Sequence, residues 1–375
     1  MNVFKFTPGA SPTLLEQGQM IPKPDSIMWT ERYRDPGEFE IVAPVSSGLK
    51  EFLPEGTIIS HTDTMEVMIV ENHEISEEPM EDPILTVTGR SFESFLENRI
   101  VGTDQARASS TIVPYELFGN STWHQTVAMI NSHIVDPFGD YDGLQYVVAE
   151  HSIVDPETTT TEARTIDRGN LHQRSVDILA VDDLGIKTIR RSPFPEYGGD
   201  DTNITLQVHN GLNRSNEVVF SWRKGDIESA EYLFSAKKLK NSALIQGRYV
   251  QTFVDLGPTR YNRRTMIVDA DDIDGHFDAV PTGTALALAL VAMQTRGRQV
   301  LKSQKRVTIT RTDVSNLSQY QYRKDYNIGD LVTVEGNFSQ VQVMRVIEFV
   351  EIEDENGRSA HPTLSIPGDE EFESA

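Results

Sequence analysis

A series of short, β-branched segments separated by Gly, Pro and Asp fills the first 90 residues and constrains the fold more than any other feature. Residues Glu38–Val42 alternate polar and apolar side chains, and three similar segments follow at short spacing: Thr57–Ile59, Met65–Val70 and Pro83–Gly89. β-Branched residues suit a pleated, half-buried surface, whereas Gly, Pro and Asp favour the turns between strands. We therefore predict that this part of the chain forms a barrel or a sandwich.

Helical periodicity follows in four places. Ser91–Leu96 begins with a serine suited to an N-cap, and Tyr115–Val135 spaces its apolar residues at helical intervals. His172–Leu184 does the same and is followed by Gly185, which suits the residue after a helix C-terminus. Thr284–Leu301, rich in Ala and Leu, is predicted to be the last helix. The pattern as a whole predicts a β-rich α+β protein.

Strand signals return between and after the later helices. They occur at Lys187–Ile189, Ile204–Val208 and Val218–Trp222, and again from Val307 onward. Residues 137–170 contain an Asp-Tyr-Asp-Gly turn and a run of threonines. We predict a long surface excursion there, with one strand around Gln145–Val148.

The two strand-rich ends of the chain share an order of glycines and apolar strands. Gly56 precedes strands that end at Gly89, and Gly329 precedes strands that end at Gly368. We interpret this match as two related barrel halves with loops of different length, and a chance match is the alternative.

The charge of the chain argues against several functions. It carries 57 acidic against 34 basic residues, a formal net charge of −23. Such a surface repels phosphates, so we expect no sequence-specific binding of DNA or RNA. An acidic wall does suit a channel through which DNA must slide without sticking.

The sequence has no cysteine, which excludes disulfides, cysteine-ligated zinc and thiol nucleophiles.

The length of the chain, 375 residues, exceeds one ordinary core, and we expect two to four domains. Residues 1–22 lack the basic and apolar regions of a secretory signal. The longest apolar run, Ala285–Met293, is far shorter than the roughly 20 residues that cross a bilayer. We therefore expect no membrane-spanning segment and a protein that stays in the cytoplasm until something else carries it out.

Acidic residues are densest just before the last predicted helix. The cluster consists of Asp269, Asp271, Asp272, Asp274, His276 and Asp278. It does not fit an EF-hand, because placing Gly275 at position 6 leaves Ala270 and Pro281 where carboxylates are required. We interpret it as a solvated turn, with adventitious calcium as the alternative.

The histidines and the known nucleophile motifs do not predict an active site. His61 with Asp63, or His124 with His133, would need long-range partners to bind zinc. No Gly-x-Ser-x-Gly elbow or phosphate-binding P-loop occurs. We predict no catalytic, cofactor-binding or metal-binding residues and no cofactor, although paired carboxylates for glycoside cleavage remain open among so many acids.

The order of several segments resembles one known family. Residues Trp29–Ile41 give a strand with Trp and Arg, a Pro-Gly turn and a strand with alternating apolar residues, and in Leu85–Phe92 a strand feeds a helix through Gly-Arg-Ser. Lys238–Asn241 and Ile245–Gly247 continue the order, and Lys324–Val332 closes it with an aromatic residue and an Ile-Gly-Asp turn into a strand. Over roughly residues 25–350, the chain thus resembles the tail-hub, or tail-associated minor tail, proteins of siphophages.

The resemblance implies two tail-tube-like β-barrel domains that line a ring and two outer α/β domains. The implied division is a first barrel at 1–95, an outer α+β domain at 96–200 with the excursion at 137–170, a second barrel at 201–255 and 306–368, a small outer insertion with a helix at 256–305, and an acidic tail at 369–375. Three subunits would present six barrels and so match a threefold tail tip to a sixfold tail tube.

This resemblance implies a non-enzymatic structural protein of the baseplate or tail tip, a homotrimeric hub that joins the tail tube to the distal tip and lets DNA pass. The implied partners are the distal tail protein, the tape-measure protein and tail-tip or receptor-binding proteins. The implied location is the virion tail tip, after assembly in the host cytoplasm.

Two alternatives stay open. One is a tail-associated hydrolase of cell-wall or capsule polysaccharide. Many hub proteins of the resembled family carry a lytic module after the hub, and because this chain stops soon after its last predicted barrel, at Ala375, we expect the hub alone. The other is a host-receptor binding module that uses residues 137–170. Trp29, Trp123 and Trp222 could stack on sugars, but a lone tryptophan more often lies in a core or an interface.

Overall fold

The computed structural model describes residues 1–8, 15–80, 82–102, 115–117, 121–135, 144, 146–153, 164–166, 168–190, 204–237, 239–257, 261–275, 279–304, 307–314, 319–336 and 341–365. Most of the predicted excursion at 137–170 therefore lies outside the described residues. By its internal packing the chain divides into two units. Unit 1 contains Met1–Glu231 and Thr310–Pro367, and unit 2 contains Tyr232–Ile309 and Gly368–Ala375.

The described residues form many strands and few helices, which confirms the predicted β-rich fold. In chain order the strands are β1 (Val3–Pro8), β2 (Leu15–Met20), β3 (Ser26–Arg32), β4 (Glu38–Pro44), β5 (Ile58–His61), β6 (Met68–Ser76), β7 (Ile84–Ser91), β8 (Tyr115–Leu117), β9 (Val147–His151), β10 (Arg164–Ile166), β11 (Gly185–Arg190), β12 (Ile204–His209), β13 (Val219–Ser221), β14 (Ile227–Ser235), β15 (Ser242–Gln246), β16 (Gln251–Asp255), β17 (Thr265–Asp269), β18 (Val307–Val314), β19 (Leu331–Glu335), β20 (Val341–Asp354) and β21 (Gly357–Ser365). The α-helices are α1 (Leu49–Phe52), α2 (Thr122–Ile130), α3 (Leu171–Leu179), α4 (Asp271–Asp274) and α5 (Gly283–Ser303). Short 3-10 helices occur at Val45–Ser47, Phe92–Asn98, Ala180–Asp182 and Trp222–Lys224, and a π-helical turn at Asn131–Val135.

One large sheet runs in the order β14-β18-β21-β20-β3-β4-β7-β6-β5-β1-β2, with β19 beside β20 and β13 beside β19. The long strand β20 holds the sheet together: residues 341–345 pair with β19 and residues 348–353 pair with β3, while β21 lies along its other edge. The pairings among the described residues do not close this sheet into a barrel.

The core of the first half follows from the alternation seen in the sequence. In β4 the side chains of Phe39, Ile41 and Ala43 are buried while their neighbours are not. They pack with Trp29 from β3, whose side chain is fully buried, and with Leu49 from α1. Large apolar side chains of this kind each contribute roughly 1.5–3 kcal/mol when buried, so this alternation fixes the register of the sheet.

A second core lies in the α/β layer built from residues 92–209. Strand β12 pairs antiparallel with β11 and parallel with β9, and the helices α2 and α3 contribute to the same apolar cluster. Met129 of α2, Ile178 of α3 and Leu206 of β12 are buried in it.

Unit 2 has its own small core. Strand β15 lies between β16 and β17, and its Ile245 packs with Met293 and Leu301 of α5. A Cβ atom at Gly297 would lie 2.6 Å from Ile245 Cδ1, so the helix needs a glycine to approach the sheet this closely.

Most predicted elements occur where the sequence places them, with two corrections. The helix predicted over Tyr115–Val135 is wrong at its start, since Tyr115–Leu117 is a strand and the helix begins after Ser121, whose Oγ accepts a hydrogen bond from the backbone N–H of His124. Gly185 does not follow the C-terminus of the next helix, because Asp183 ends that turn with a left-handed φ of 58° and Gly185 already belongs to β11.

The repeat of glycines and strands in the sequence corresponds to a repeat in backbone structure. Strands β5, β6 and β7 form an antiparallel meander, which we call the first meander, and β19, β20 and β21 form a second meander. The N–H of Gly56 donates to Val70 O at 2.8 Å, and the N–H of Gly329 donates to Val346 O at the same distance. Each meander has an irregularity in register directly after that valine. Gly368 lies outside the described residues.

Candidate assembly site

Asp183 is the centre of a polar cluster that joins three parts of unit 1. Arg34, in the loop after β3, donates from Nη2 to Asp183 Oδ1 at 2.8 Å. Arg345, in β20, donates from Nη2 to Asp183 Oδ2 at 2.6 Å. The side chain of Arg345 is only 6% exposed, so this ion pair is shielded from solvent. We call these residues, with Tyr33, His209 and Gly329, the Asp183 cluster.

Backbone carbonyls complete the cluster. Arg345 Nη1 donates to Gly329 O at 2.6 Å and to Asn210 O at 2.8 Å, and the Tyr33 hydroxyl donates to Asp183 O at 2.8 Å. A buried guanidinium needs such acceptors, because a charge without partners in the interior is very costly. The cluster therefore fixes the α/β layer against β20 and the turn at Gly329.

His209 belongs to this cluster as a neutral packing group. Its ring lies edge-on to Tyr33, with centroids 5.1 Å apart. Burial, together with the nearby charges of Lys187, Arg345 and Arg34, lowers the pKa of His209 well below its ordinary value. The ring is consequently uncharged at neutral pH and cannot compete with the arginines for Asp183.

A second cluster, which we call the Glu31 cluster, connects β3 with the segment before β19. Arg323 donates to Glu31 at 2.7 Å and to Glu351 at 3.0 Å, and Thr64 and Tyr322 also donate to Glu31. Burial alone would raise the pKa of Glu31, but Arg323 and these hydrogen bonds hold it at about 2. Each carboxylate is occupied by donors, so the cluster is suited to holding strands together.

Two further buried carboxyls lie close to this cluster. Burial raises the pKa of Glu93 to about 7, against hydrogen bonds from Ser91 and Thr188 that lower it. Burial and the charges of Glu31 and Glu93 raise the pKa of Glu66 well above its ordinary value. Both groups therefore take up protons more readily than exposed glutamates.

The predicted acidic cluster before the last helix is only partly a solvated turn. Asp269 and Asp271 are exposed, but Asp274 is buried and accepts hydrogen bonds from the backbone N–H groups of Arg248, Tyr249 and Val250, each within 2.8 Å. Burial opposes ionisation, yet these donors lower the pKa of Asp274. This carboxylate fixes a turn of unit 2, and residues 276–278 lie outside the described residues.

The first pair of singled-out side chains, His61 and Asp63, lies together without chelating geometry. His61 packs edge-on to Trp29, and its Nδ1 accepts from the backbone N–H of Asp63 at 3.3 Å. Burial and Arg323 lower the pKa of His61 to about 3, while the Asp63 carboxylate pairs with Arg358.

The second pair, His124 and His133, is not brought together. His124 stacks on Trp123, whereas His133 Nε2 accepts from the backbone N–H of Gly102 at 2.8 Å. Over the described ranges, no three His, Asp or Glu side chains are arranged to hold a metal ion.

The sequence did not single out Asp183, Arg323 or Arg345. Their partners are far away in the chain: 149 positions separate Arg34 from Asp183, and 162 separate Asp183 from Arg345. Local periodicity carries no signal for contacts of that range.

Solved structures of tail proteins share this fold. The 43 kDa tail protein of prophage MuSo2 from Shewanella oneidensis is similar over 99% of this chain and 100% of its own, with a TM-score of 0.57 and 13% identity. A tail protein from Neisseria meningitidis MC58 is similar over 98% of both chains, with a TM-score of 0.56 and 11% identity. Prophage tail protein gp18 from Listeria monocytogenes EGD-e gives a TM-score of 0.51 and 10% identity over 97% of this chain and 94% of its own.

These three structures show which fold the chain has. Residues 11–365 match the family described as Siphovirus ReqiPepy6 Gp37-like protein. The chain belongs to this family, which confirms the resemblance to siphophage tail proteins seen in the sequence. A comparison with curated proteins finds no match. Among the described residues, no helix combines the length and the apolar character that crossing a membrane requires.

Proposed function

We propose that this protein is the tail hub of a siphovirus, a homotrimeric ring that joins the tail tube to the distal tip and lets DNA pass. The observation that carries the proposal is the repeat of the meander within one chain. Both meanders have the same glycine-to-valine hydrogen bond and the same position of the irregularity. Three subunits with two equivalent modules each supply six similar elements to a sixfold tube.

In this proposal the two strand-rich halves become barrel-like modules that line the ring. The domain division expected from the sequence has barrels at 1–95 and at 201–255 with 306–368, and outer domains at 96–200 and 256–305. Within 201–255, strands β15 and β16 pack with β17 and α5 in unit 2. The net charge of −23 supports DNA passage, because an acidic bore does not retain a phosphate backbone.

The proposed role depends on shape and self-association, without catalytic residues, cofactor or metal. The two clusters support it, because their carboxylates are bonded to arginines and so hold strands together. The proposed partners are the distal tail protein, the tape-measure protein and tail-tip or receptor-binding proteins, at the tail tip of the virion after assembly in the host cytoplasm.

Light scattering of the purified chain, combined with negative-stain microscopy, tests the proposal. We expect a particle of three times 42.1 kDa that appears as a threefold ring. A chain that stays monomeric at high concentration, or that degrades purified peptidoglycan or capsule polymer in a manner abolished by carboxylate substitution, contradicts it.

A further inference from the structure

The charge of the chain is divided unevenly between its parts. Residues 232–309 carry 12 Lys and Arg, 6 Asp and no Glu, a formal charge of +6. The other residues carry 22 basic and 51 acidic side chains, a formal charge of −29. Residues 232–309 are thus a basic stretch of an acidic chain, and they are electrostatically suited to an acidic partner surface.

The exposed side of α5 combines this charge with apolar surface. Thr284, Leu288, Val291, Thr295 and Arg298 recur at intervals of three and four and so lie on one face of the helix. Leu288 is 66% exposed and Val291 is 61% exposed. Leu286 to Ala292 contains no polar side chain, and an exposed stripe of this type marks an interaction surface. We call these five residues the α5 stripe.

An acidic and apolar counterpart exists at the tip of the β6–β7 hairpin. Met80 is fully exposed at the turn, and Ile75 and Ile84 are 40% and 43% exposed on the adjoining strands. Exposed acidic residues surround them, namely Glu74, Glu77, Glu78 and Asp82. The tip therefore has apolar side chains that could pack on Leu288 and Val291, and carboxylates that could pair with the basic residues of 232–309.

The second meander has a hairpin in the same place with a different tip. Residues 354–358 between β20 and β21 read Asp-Glu-Asn-Gly-Arg and contain no apolar side chain. Both hairpins follow the same repeat, so the repeat itself does not require the apolar tip. The apolar tip is a feature of the first hairpin, as expected of a contact surface.

We propose that the β6–β7 tip of one subunit docks on the α5 stripe of a second copy of this chain. The inference rests on the proposed homotrimer and names one of its contacts. The two surfaces are different patches of the same chain, so the contact is head-to-tail and closes into a ring when repeated three times. The opposite charges of the patches select the heterologous pairing over contacts between two identical tips.

Cross-linking between single cysteines tests the contact, because the natural chain has no cysteine and therefore no background reaction. Met80→Cys and Leu288→Cys are placed on separately tagged chains, which are co-expressed and treated with a short bismaleimide. We expect a covalent dimer carrying both tags, at least about tenfold above the yield with Asn356→Cys in place of Met80→Cys. Because each chain carries one cysteine, this product can form only between subunits.

Charge exchange gives a second readout. The double variant Glu77→Lys, Glu78→Lys should shift the monomer–trimer midpoint to about tenfold higher concentration, and adding Arg298→Glu should recover part of the loss. Glu355→Lys at the second hairpin is the matched control and should leave the midpoint unchanged.

The outcomes separate the two proposals. A trimer that gives no cross-link above the control, or whose Met80→Cys and Leu288→Cys thiols both stay open to labelling, overturns the docking and leaves the hub intact, with those surfaces then serving another tail protein. A chain that stays monomeric overturns both.

Discussion

In the first meander the turn at Gly56 faces solvent, whereas in the second meander the corresponding turn at Gly329 packs against Tyr33 and His209. The glycines have similar positive φ angles, 80° at Gly56 and 91° at Gly329. The N–H of each donates to a valine carbonyl in the middle strand of its meander, Val70 O in the first and Val346 O in the second. A Cβ atom at Gly56 would meet nothing within 4 Å, but one at Gly329 would lie 2.8 Å from Tyr33 Cε2 and 3.1 Å from His209 Cε1. The two turns thus share a backbone conformation and a hydrogen bond, but only the turn at Gly329 packs against buried side chains from other segments.

The residue after each valine shows the same contrast. In the first meander this residue is Glu71, which is partly exposed and accepts two hydrogen bonds from Arg90. In the second it is Ile347, which is buried and whose carbonyl accepts from the backbone N–H of Tyr33 at 2.9 Å. The two meanders therefore share their strand pairing, while a few side chains near one turn differ in what they contact.

The largest expected effect that tests this comparison comes from the two glycines. Gly329→Ala should lower the free energy of unfolding by about 3–4 kcal/mol, because it adds a strained left-handed residue and a clash with the buried Tyr33 and His209 rings. Gly56→Ala carries the strain alone and should cost about 1 kcal/mol. Urea denaturation of the two variants measures both values, and equal losses would contradict the contrast between the turns.

The ion pairs give the next largest effect. Arg345→Gln should destabilise the protein by about 2–3 kcal/mol, because it leaves Asp183 without one arginine and removes the donor to Gly329 O. Arg90→Gln breaks the pairs with Glu71 and Glu97 in the first meander, but that arginine is 37% exposed and should cost less than about 1 kcal/mol.

The same denaturation measurement with added salt distinguishes the two arginines further. Salt should reduce the small contribution of Arg90, which solvent ions can screen, and change that of Arg345 little. A loss at Arg90 as large as that at Arg345 would show that the junction is not the more tightly held of the two regions.

The sequence predicted the parts of this fold that depend on local pattern. The strands of both meanders and the last helix were visible from β-branched alternation and from the Ala-Leu run, because burial of one face imposes a period on the sequence. The start of α2 was missed, since the apolar spacing from Tyr115 onward concealed the cap at Ser121. The left-handed residue that ends the helical segment was also assigned wrongly. Glycine is the residue type that usually takes this conformation, so the sequence pointed to Gly185, whereas the structure has Asp183 there.

The candidate site was largely beyond such reasoning. Neither the Asp183 cluster nor the Glu31 cluster has a local motif, since each brings together residues from distant strands and loops. The uneven distribution of charge, in contrast, can be read from the sequence alone, because residues 232–309 contain no glutamate. That this basic stretch also has an exposed apolar surface follows only from the structure, in which Leu288, Val291 and Arg298 lie on one exposed face of α5.

The third expected effect is smaller than those at Gly329 and Arg345. It concerns Glu93, which follows the first meander, and compares it with Glu31, which connects β3 with the segment before β19. Glu93 is buried directly after β7, and its Oε2 has no hydrogen-bond donor among the described residues. Its folded pKa of about 7 lies above the ordinary value of 4.5, so the folded state binds the proton more tightly than the unfolded chain. The free energy of unfolding should therefore fall as the pH rises from about 4.5 to 7 and should then level off.

Glu93→Gln removes this titration and should raise the free energy of unfolding at pH 8 by about 2 kcal/mol, with little change at pH 4.5. Glu31→Gln should do the opposite, because the pKa of Glu31 is lowered to about 2 by its contacts across the halves. The stability that Glu31 contributes is fully present above pH 4.5 and is lost as the pH falls toward 2, so its replacement should weaken the protein at pH 8 and matter least near pH 2. Thermal unfolding followed from pH 2 to 8 measures both slopes. If the free energies of unfolding of the two variants changed in parallel with pH, Glu93 would be charged and paired in the folded protein, as Glu31 is. The segments around the two meanders would then be held together by the same kind of ion pair.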